Sequence, residues 1–152
     1  MRRRYLVLIV LVGIVLFLAI STVLARVWSA DGAETSALTA LVKAEAQGDQ
    51  SAGVAQILGC RSDPSCRARV AANIAALARP GSVSIVQINP STGFSLTSTL
   101  GVARVVWTVG SSLPIVQCVR VRHAGNALHG IHVELLELSR RIKTDADCPS
   151  RF

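Results

Sequence analysis

Charge is what this sequence has little of. Only 16% of its 152 residues are Asp, Glu, Lys or Arg, while 51% are hydrophobic, a balance that excludes a chain disordered over most of its length. Acidic residues are the scarcer sign, nine against sixteen basic, for a net charge of +7. Arg2, Arg3 and Arg4 carry three of those charges at the extreme N-terminus, leaving about +4 for the rest, too weak a bias to argue for a nucleic-acid partner. The short patterns that announce chemistry are missing as well: no HExxH, no Gly-rich phosphate loop, no CxxC and no Ser/His/Asp order. No internal repeat or low-complexity tract is present. The reading therefore leans away from an enzyme, with no metal and no cofactor expected, although catalysis by scattered pocket residues stays open.

What is there begins with a long apolar run. Tyr5 to Ala25 contains no charge. As a helix it measures about 31 Å, the thickness of a bilayer core. Three arginines precede it and only Arg26 follows closely, so the positive-inside bias expects residues 1–4 in the cytoplasm, 5–25 across the cytoplasmic membrane, and the rest outside. Trp28 would sit in the headgroup region. Cleavage as a signal peptide after Val23-Leu24-Ala25 is the competing reading, and Arg2-Arg3 faintly echoes a twin-arginine signal; the apolar run is longer than a signal core of roughly 7 to 15 residues. With Gly13 alone in the span there is no GxxxG face for helix pairing.

All four cysteines, Cys60, Cys66, Cys118 and Cys148, follow the span, and an even count in an exported domain reads as a disulfide framework. Three pairings are possible. The Pro-bearing turn within Arg61-Ser62-Asp63-Pro64-Ser65 favours Cys60 with Cys66, leaving Cys118 for Cys148. Zinc is the weaker alternative, because the paired short spacing of zinc ribbons is absent.

Beyond the span, residues 26–35 read as a polar linker, and 36–148 as one α+β domain with a short tail at 149–152. Thr35 or Ser36 can cap a helix carrying Leu38, Leu41, Val42 and Ala46 at helical spacing, ended by Gly48-Asp49. Ser51 to Leu58 and Ala68 to Leu77 repeat that spacing, and Pro80-Gly81 breaks it. The chain then turns β-branched and alternating over Val83 to Ile88, Phe94 to Val109, Ile115 to Arg122 and Leu128 to Leu138. Short connections expect an antiparallel meander, so the fold expected is helices packed on a curved antiparallel four-stranded sheet. The phase of apolar residues changes at Leu136, which expects a bulge or a switch to helix there.

That order, over roughly Ala33 to Ile142, resembles the nuclear-transport-factor-2-like (cystatin-like) extracytoplasmic domains behind a single anchor, similar to the mammalian-cell-entry-associated membrane proteins of actinobacteria. The residues carrying it are Ala46-Gln47-Gly48-Asp49 at the end of the first helix and the closing hairpin from Cys118 to Gly130. The resemblance implies a bent sheet around helices with a conical pocket, used by some relatives for catalysis and by many only for binding or assembly. The Cys60–Cys66 loop and the brevity of the later helical segments depart from the simplest family pattern.

Candidate residues follow. Trp107, His132 and Glu134 are the most plausible pocket-lining side chains, beside the plainer readings of core tryptophan and solvent-facing hairpin groups. His123, His129 and His132 cluster near the last hairpin, but no carboxylate pattern joins them into a metal site. Glu134 and Glu137 read most simply as partners of Arg120, Arg122 or Arg140 across the sheet. Arg104, Arg120 and Arg122 could form a basic face for anionic headgroups or wall phosphates, or a charge-alternating wet face. The functional expectation is a non-catalytic interaction or assembly domain of a bacterial envelope, partnered by the bilayer and an unknown envelope protein. A small-ligand or enzymatic pocket of the same fold is the alternative, and a cleaved, secreted factor differs only in processing.

Overall fold

A computed structural model describes residues 2–91, 99–126, 130–143 and 148, and the element order is three helices followed by four strands: α1 (Arg2–Gln47), α2 (Gln50–Gln56), α3 (Pro64–Leu77), β1 (Val83–Asn89), β2 (Thr99–Val109), β3 (Ile115–Asn126) and β4 (Gly130–Leu138). The fold is α+β, and the strands form one open antiparallel sheet in the order β1-β2-β3-β4.

The linker expected at 26–35 is helical, and α1 runs unbroken for 46 residues. Nothing in Arg26 to Thr35 stops a helix: there is no proline, and the single Gly32 costs a helix interior only about 1 kcal/mol relative to alanine. The first real stop is Gly48. It takes a φ of 77°, its amide bonds to Glu45 O at 3.2 Å, and the Asp49 amide bonds to Ala44 O at 2.9 Å, the paired closure of a Schellman motif. Asp49 then caps α2 through the Ala52 amide at 2.9 Å. The third helix starts earlier than its apolar spacing suggests, at Pro64 within the cysteine loop, because Asp63 accepts from the Ser65 amide and proline suits the first helical position. The Ala52 amide on Asp49 and the Ser65 hydroxyl on Asp63 hold both capping carboxyls below their ordinary range.

Within α1 the segment Arg4–Thr22 is long and apolar enough to cross a membrane, and its side chains are exposed. Trp28's side chain lies outside the described residues. Farther along, Glu34, Leu38, Leu41, Val42 and Glu45 fall on one face and are all buried, packed against the sheet. Alternation in β2 and β3 supplies the other side of the core: Ala103, Val105, Trp107 and Val109 from one strand, Ile115, Val119 and Val121 from the next. A bulge at Leu136 lets Leu135 and Leu138, three residues apart, both point inward: Val121 pairs with Leu135 and Arg120 with Glu137. The first residues expected in β2 and β4, 94–98 and 128–129, lie outside the described residues, as does His129.

The free edge of β4 is met by the chain after α2, where Leu58 donates to Leu135 O at 2.7 Å and Ile57 forms a parallel bridge with Leu135. Cys60 is bonded to Cys66, closing the loop before α3, with Cα atoms 5.2 Å apart; Cys118 is bonded to Cys148, with Cα atoms 5.8 Å apart. The second bridge closes a loop of 30 residues against one of 6. On chain-entropy grounds, Cys118→Ala/Cys148→Ala should lose about 3–4 kcal/mol and Cys60→Ala/Cys66→Ala about 2. Urea denaturation of the full chain in detergent checks this, and the reverse ranking would count against it.

Candidate functional site

Two carboxyl groups bracket the buried stripe of α1. Glu34 and Glu45 are eleven residues apart, three helical turns, and both are 0% exposed. A buried carboxyl group is costly unless its oxygens are partnered, so what each one faces decides its role.

Glu34 is well partnered. Ser91 donates its amide to Oε1 at 2.8 Å and its hydroxyl to Oε2 at 3.1 Å, and His123 Nε2 lies 2.8 Å from the same Oε2. His123 belongs to the core face of β3, in phase with Val119 and Val121, and its side chain is 15% exposed. Gly101 on β2 leaves room for this arrangement, since any β-carbon there would collide with Ser91. A serine, a histidine and an acid are thus together, but in the wrong order for acyl transfer. A nucleophilic hydroxyl donates to the imidazole, which the acid then orients; here hydroxyl and imidazole both terminate on the carboxyl group. The cluster is a clamp between α1, β3 and the chain after β1.

Glu45 is poorly partnered. Neither of its oxygens makes a hydrogen bond among the described residues, though the amides of Gln117 and Asn73 are near enough to favour its charged form. Burial dominates and pushes the carboxyl up to about 7. The surrounding polar groups are engaged with one another: Trp107 Nε1 donates to Gln117 Oε1 at 2.8 Å, Asn73 Nδ2 donates to Ser139 O at 2.9 Å, and the Cys118 amide donates to the Ser139 hydroxyl at 2.8 Å.

The three pocket candidates do not meet. Trp107 is 0% exposed on the core face of β2, whereas His132 and Glu134 stand on the opposite face, at the far side of the sheet. Glu134 accepts from Arg122 Nε at 2.6 Å, and His132 Nε2 lies 3.3 Å from its other oxygen. Arg104, Arg120 and Arg122 do share that outer face, but not as free cations. Arg120 pairs with Glu137 at 3.3 Å, Arg122 with Glu134 at 2.5 Å, and Arg104 is engaged too. Such exposed pairs contribute about 0–1 kcal/mol each and leave the face close to neutral. In the same phase of β3 as Arg120 and Arg122, Cys118 carries the bridge to Cys148.

The surface carries recesses among the described residues. A cleft of about 220 Å³ lies between the Cys60–Cys66 loop, Arg69 and Val70 of α3, and Leu136 to Leu138; a hollow of about 160 Å³ lies among Arg79, Ser112, Leu113, Ile115 and Arg141. Neither reaches Glu45, Trp107, His132 or Glu134. No group of three or more potential metal ligands occurs among the described residues.

No protein-family model matches the chain, and neither a curated protein nor a solved structure is significantly similar to it.

Residue periodicity carried a signal for the two carboxyl groups: Glu34 and Glu45 fall in the phase of Leu38, Leu41 and Val42, and Gln117 and His123 in the phase of Val119 and Val121. A polar group in an apolar phase is a buried one. Their partnering separates them energetically. Because the folded Glu45 carboxyl titrates near 7 and the unfolded one near 4.5, the folded state is unpenalised below pH 4.5 and loses about 3 kcal/mol as pH rises through 7. Glu45→Gln should therefore be the more stable protein at pH 8 and flatten that pH dependence, whereas Glu34→Ala, which strands Ser91 and His123, should cost about 2–3 kcal/mol. Chemical denaturation of both variants at pH 4.5 and pH 8 measures the contrast; a Glu45→Gln variant less stable than the parent at pH 8 would contradict it.

Proposed function

We propose that the protein is a membrane-anchored interaction domain, carried outside the cytoplasm of a bacterial envelope as an accessory or assembly subunit and not as an enzyme. The observation that carries this reading is α1. One uninterrupted helix holds both the apolar segment Arg4–Thr22 and the buried stripe from Glu34 to Glu45, so the core of the domain is built on its own anchor. A catalytic domain needs no such continuity, but a subunit that must present one surface at a set height above a bilayer benefits from it. Two disulfides support an oxidising compartment, and Arg2 to Arg4 ahead of the span support an inside N-terminus. Three helices followed by an antiparallel meander support kinship with nuclear-transport-factor-2-like domains, which many proteins use for assembly.

One feature favours a small-ligand or enzymatic reading: the desolvated carboxyl of Glu45 beside Gln117, Asn73 and Trp107. Trp107 is fully buried in the core, and the cleft and the hollow both open elsewhere. The interaction reading therefore stands first.

Topology is directly measurable. Leu113 is 79% exposed, so a cysteine placed there is accessible without disturbing the fold. Leu113→Cys should react with a membrane-impermeant maleimide on intact cells, and the labelled protein should stay in the membrane pellet after alkaline carbonate washing at the full-length mass. Labelling only after lysis would place the domain inside; a soluble product lacking the first 25 residues would remove the anchor.

A further inference from the structure

The end of the domain farthest from Arg4–Thr22 is made by three chain segments. The β2–β3 turn is closed by Ser112 donating to Val109 O at 3.0 Å; the chain after α3 is tied to α1 by Arg79 donating its amide to Ala46 O at 3.2 Å; and the chain after β4 is tied to β3 by Ile142 donating to Val116 O at 2.8 Å. Arg141 Nη2 donates to Pro114 O at 3.2 Å and so stands over the turn. Between these segments lies the hollow of about 160 Å³ walled by Arg79, Ser112, Leu113, Ile115 and Arg141.

Its chemistry differs from that of the outer sheet face. Leu113 is the most exposed large hydrophobic side chain described, more so than any in the apolar segment of α1; Arg79 and Arg141 share its hollow, and Arg140 and Lys143, next to Arg141 in the chain, are exposed as well. Among the described residues none of these four cations pairs with a carboxylate, unlike Arg120 and Arg122 on the sheet. Asp145 and Asp147, the next acids in the chain, lie outside the described residues. Twenty-five helical residues separate Thr22 from Gln47, so this tip stands about 37 Å beyond the apolar segment, out of reach of the headgroups of the same membrane.

We propose that this tip docks an acidic segment of a second protein, which places an aliphatic side chain against Leu113 and carboxylates against Arg79 and Arg141. The proposal rests on the reading of the protein as an anchored interaction domain and names the surface and the partner chemistry. A phosphate-rich polymer would meet the cations equally well but has nothing to bury in an apolar hollow, whereas a peptide satisfies both. Guanidinium groups fixed beside the hollow, one of them on a backbone carbonyl, suit bidentate recognition of carboxylates.

The test is photo-cross-linking in intact cells with the full-length protein carrying benzoylphenylalanine at Leu113 on the tip, at Leu100 on the outer sheet face, or at Leu58 in the cleft, with the adducts read by mass spectrometry. The expected result is an adduct at position 113 to a protein segment that has at least two acidic residues flanking an aliphatic one, falling at least tenfold in Arg79→Gln/Arg141→Gln and partly, less than in the double variant, in Arg141→Lys. Correct disulfide mapping of each variant shows that it has folded. An adduct at 113 to a polymer, or to a segment without acids, or with a yield unmoved by the double substitution, overturns the proposal. Adducts only at positions 100 or 58 also overturn it while leaving the interaction-domain reading intact, and no adduct at any of the three positions removes both.

Discussion

One face of α1 lies against the sheet, nearest to β4 and touching a β3 side chain at either end, and the remaining elements are arranged around that packing. Leu38, Leu41 and Val42 bury themselves on the inward phase of β2 and β3, with a carboxyl group at either end of the stripe. From Glu34 to Glu45 the helix rises about 16 Å; from His123 back to Gln117 the strand covers about 20 Å. The near match means that the helix runs over the sheet in the direction opposite to β3, meeting a polar β3 side chain at each end, His123 at Glu34 and Gln117 at Glu45. At the end nearer the apolar segment the encounter is satisfied, because Ser91 and His123 supply hydrogen bonds. At the far end it is a compromise, because amides already committed to Trp107 and Ser139 leave Glu45 short of partners. Apolar packing brings helix and sheet together, and the two acids restrict how far one can slide on the other.

Alignment of helix and strand gives the domain a direction. Since α1 is continuous with the apolar segment, the clamp at Glu34 is about 18 Å beyond Thr22, whereas the turn at 110–114 and the arginines around it stand at the opposite end. The sheet's outer face runs between the two and is largely self-neutralised by Arg120–Glu137 and Arg122–Glu134. The cations at the tip, among the described residues, have no such partners.

How much of this could be read beforehand depends on the range of the interaction. Gly48-Asp49, Asp63-Pro64 and Pro80-Gly81 act within a few residues of themselves, and the ends of α1 and α3 fall where those residues place them. The phase change at Leu136 is local too, and it marks the bulge that lets Leu135 and Leu138 both turn inward. The expected break at 26–35 was an error of the same local kind: Ser29, Asp31 and Gly32 lower helix propensity without preventing a helix that is held at both sides. His123 is different. Its neighbours Arg122 and Ala124 say nothing of a buried acid 89 residues earlier, and the histidine took its character from that acid.

Periodicity, capping residues and the apolar run determine the helices, the strands, the α+β class and the presence of a segment able to cross a membrane, because each follows from the covalent geometry of a short stretch of chain. Which polar groups are clamped, which are stranded, and which charges stay unpaired depended on the folded whole. Glu34 and Glu45 are the same residue in the same phase of the same helix, yet only one is satisfied. The difference comes from what β3, α3 and the chain after β1 bring opposite them, and hydrogen-bond partners separated by tens of residues are assigned by packing, not by spacing.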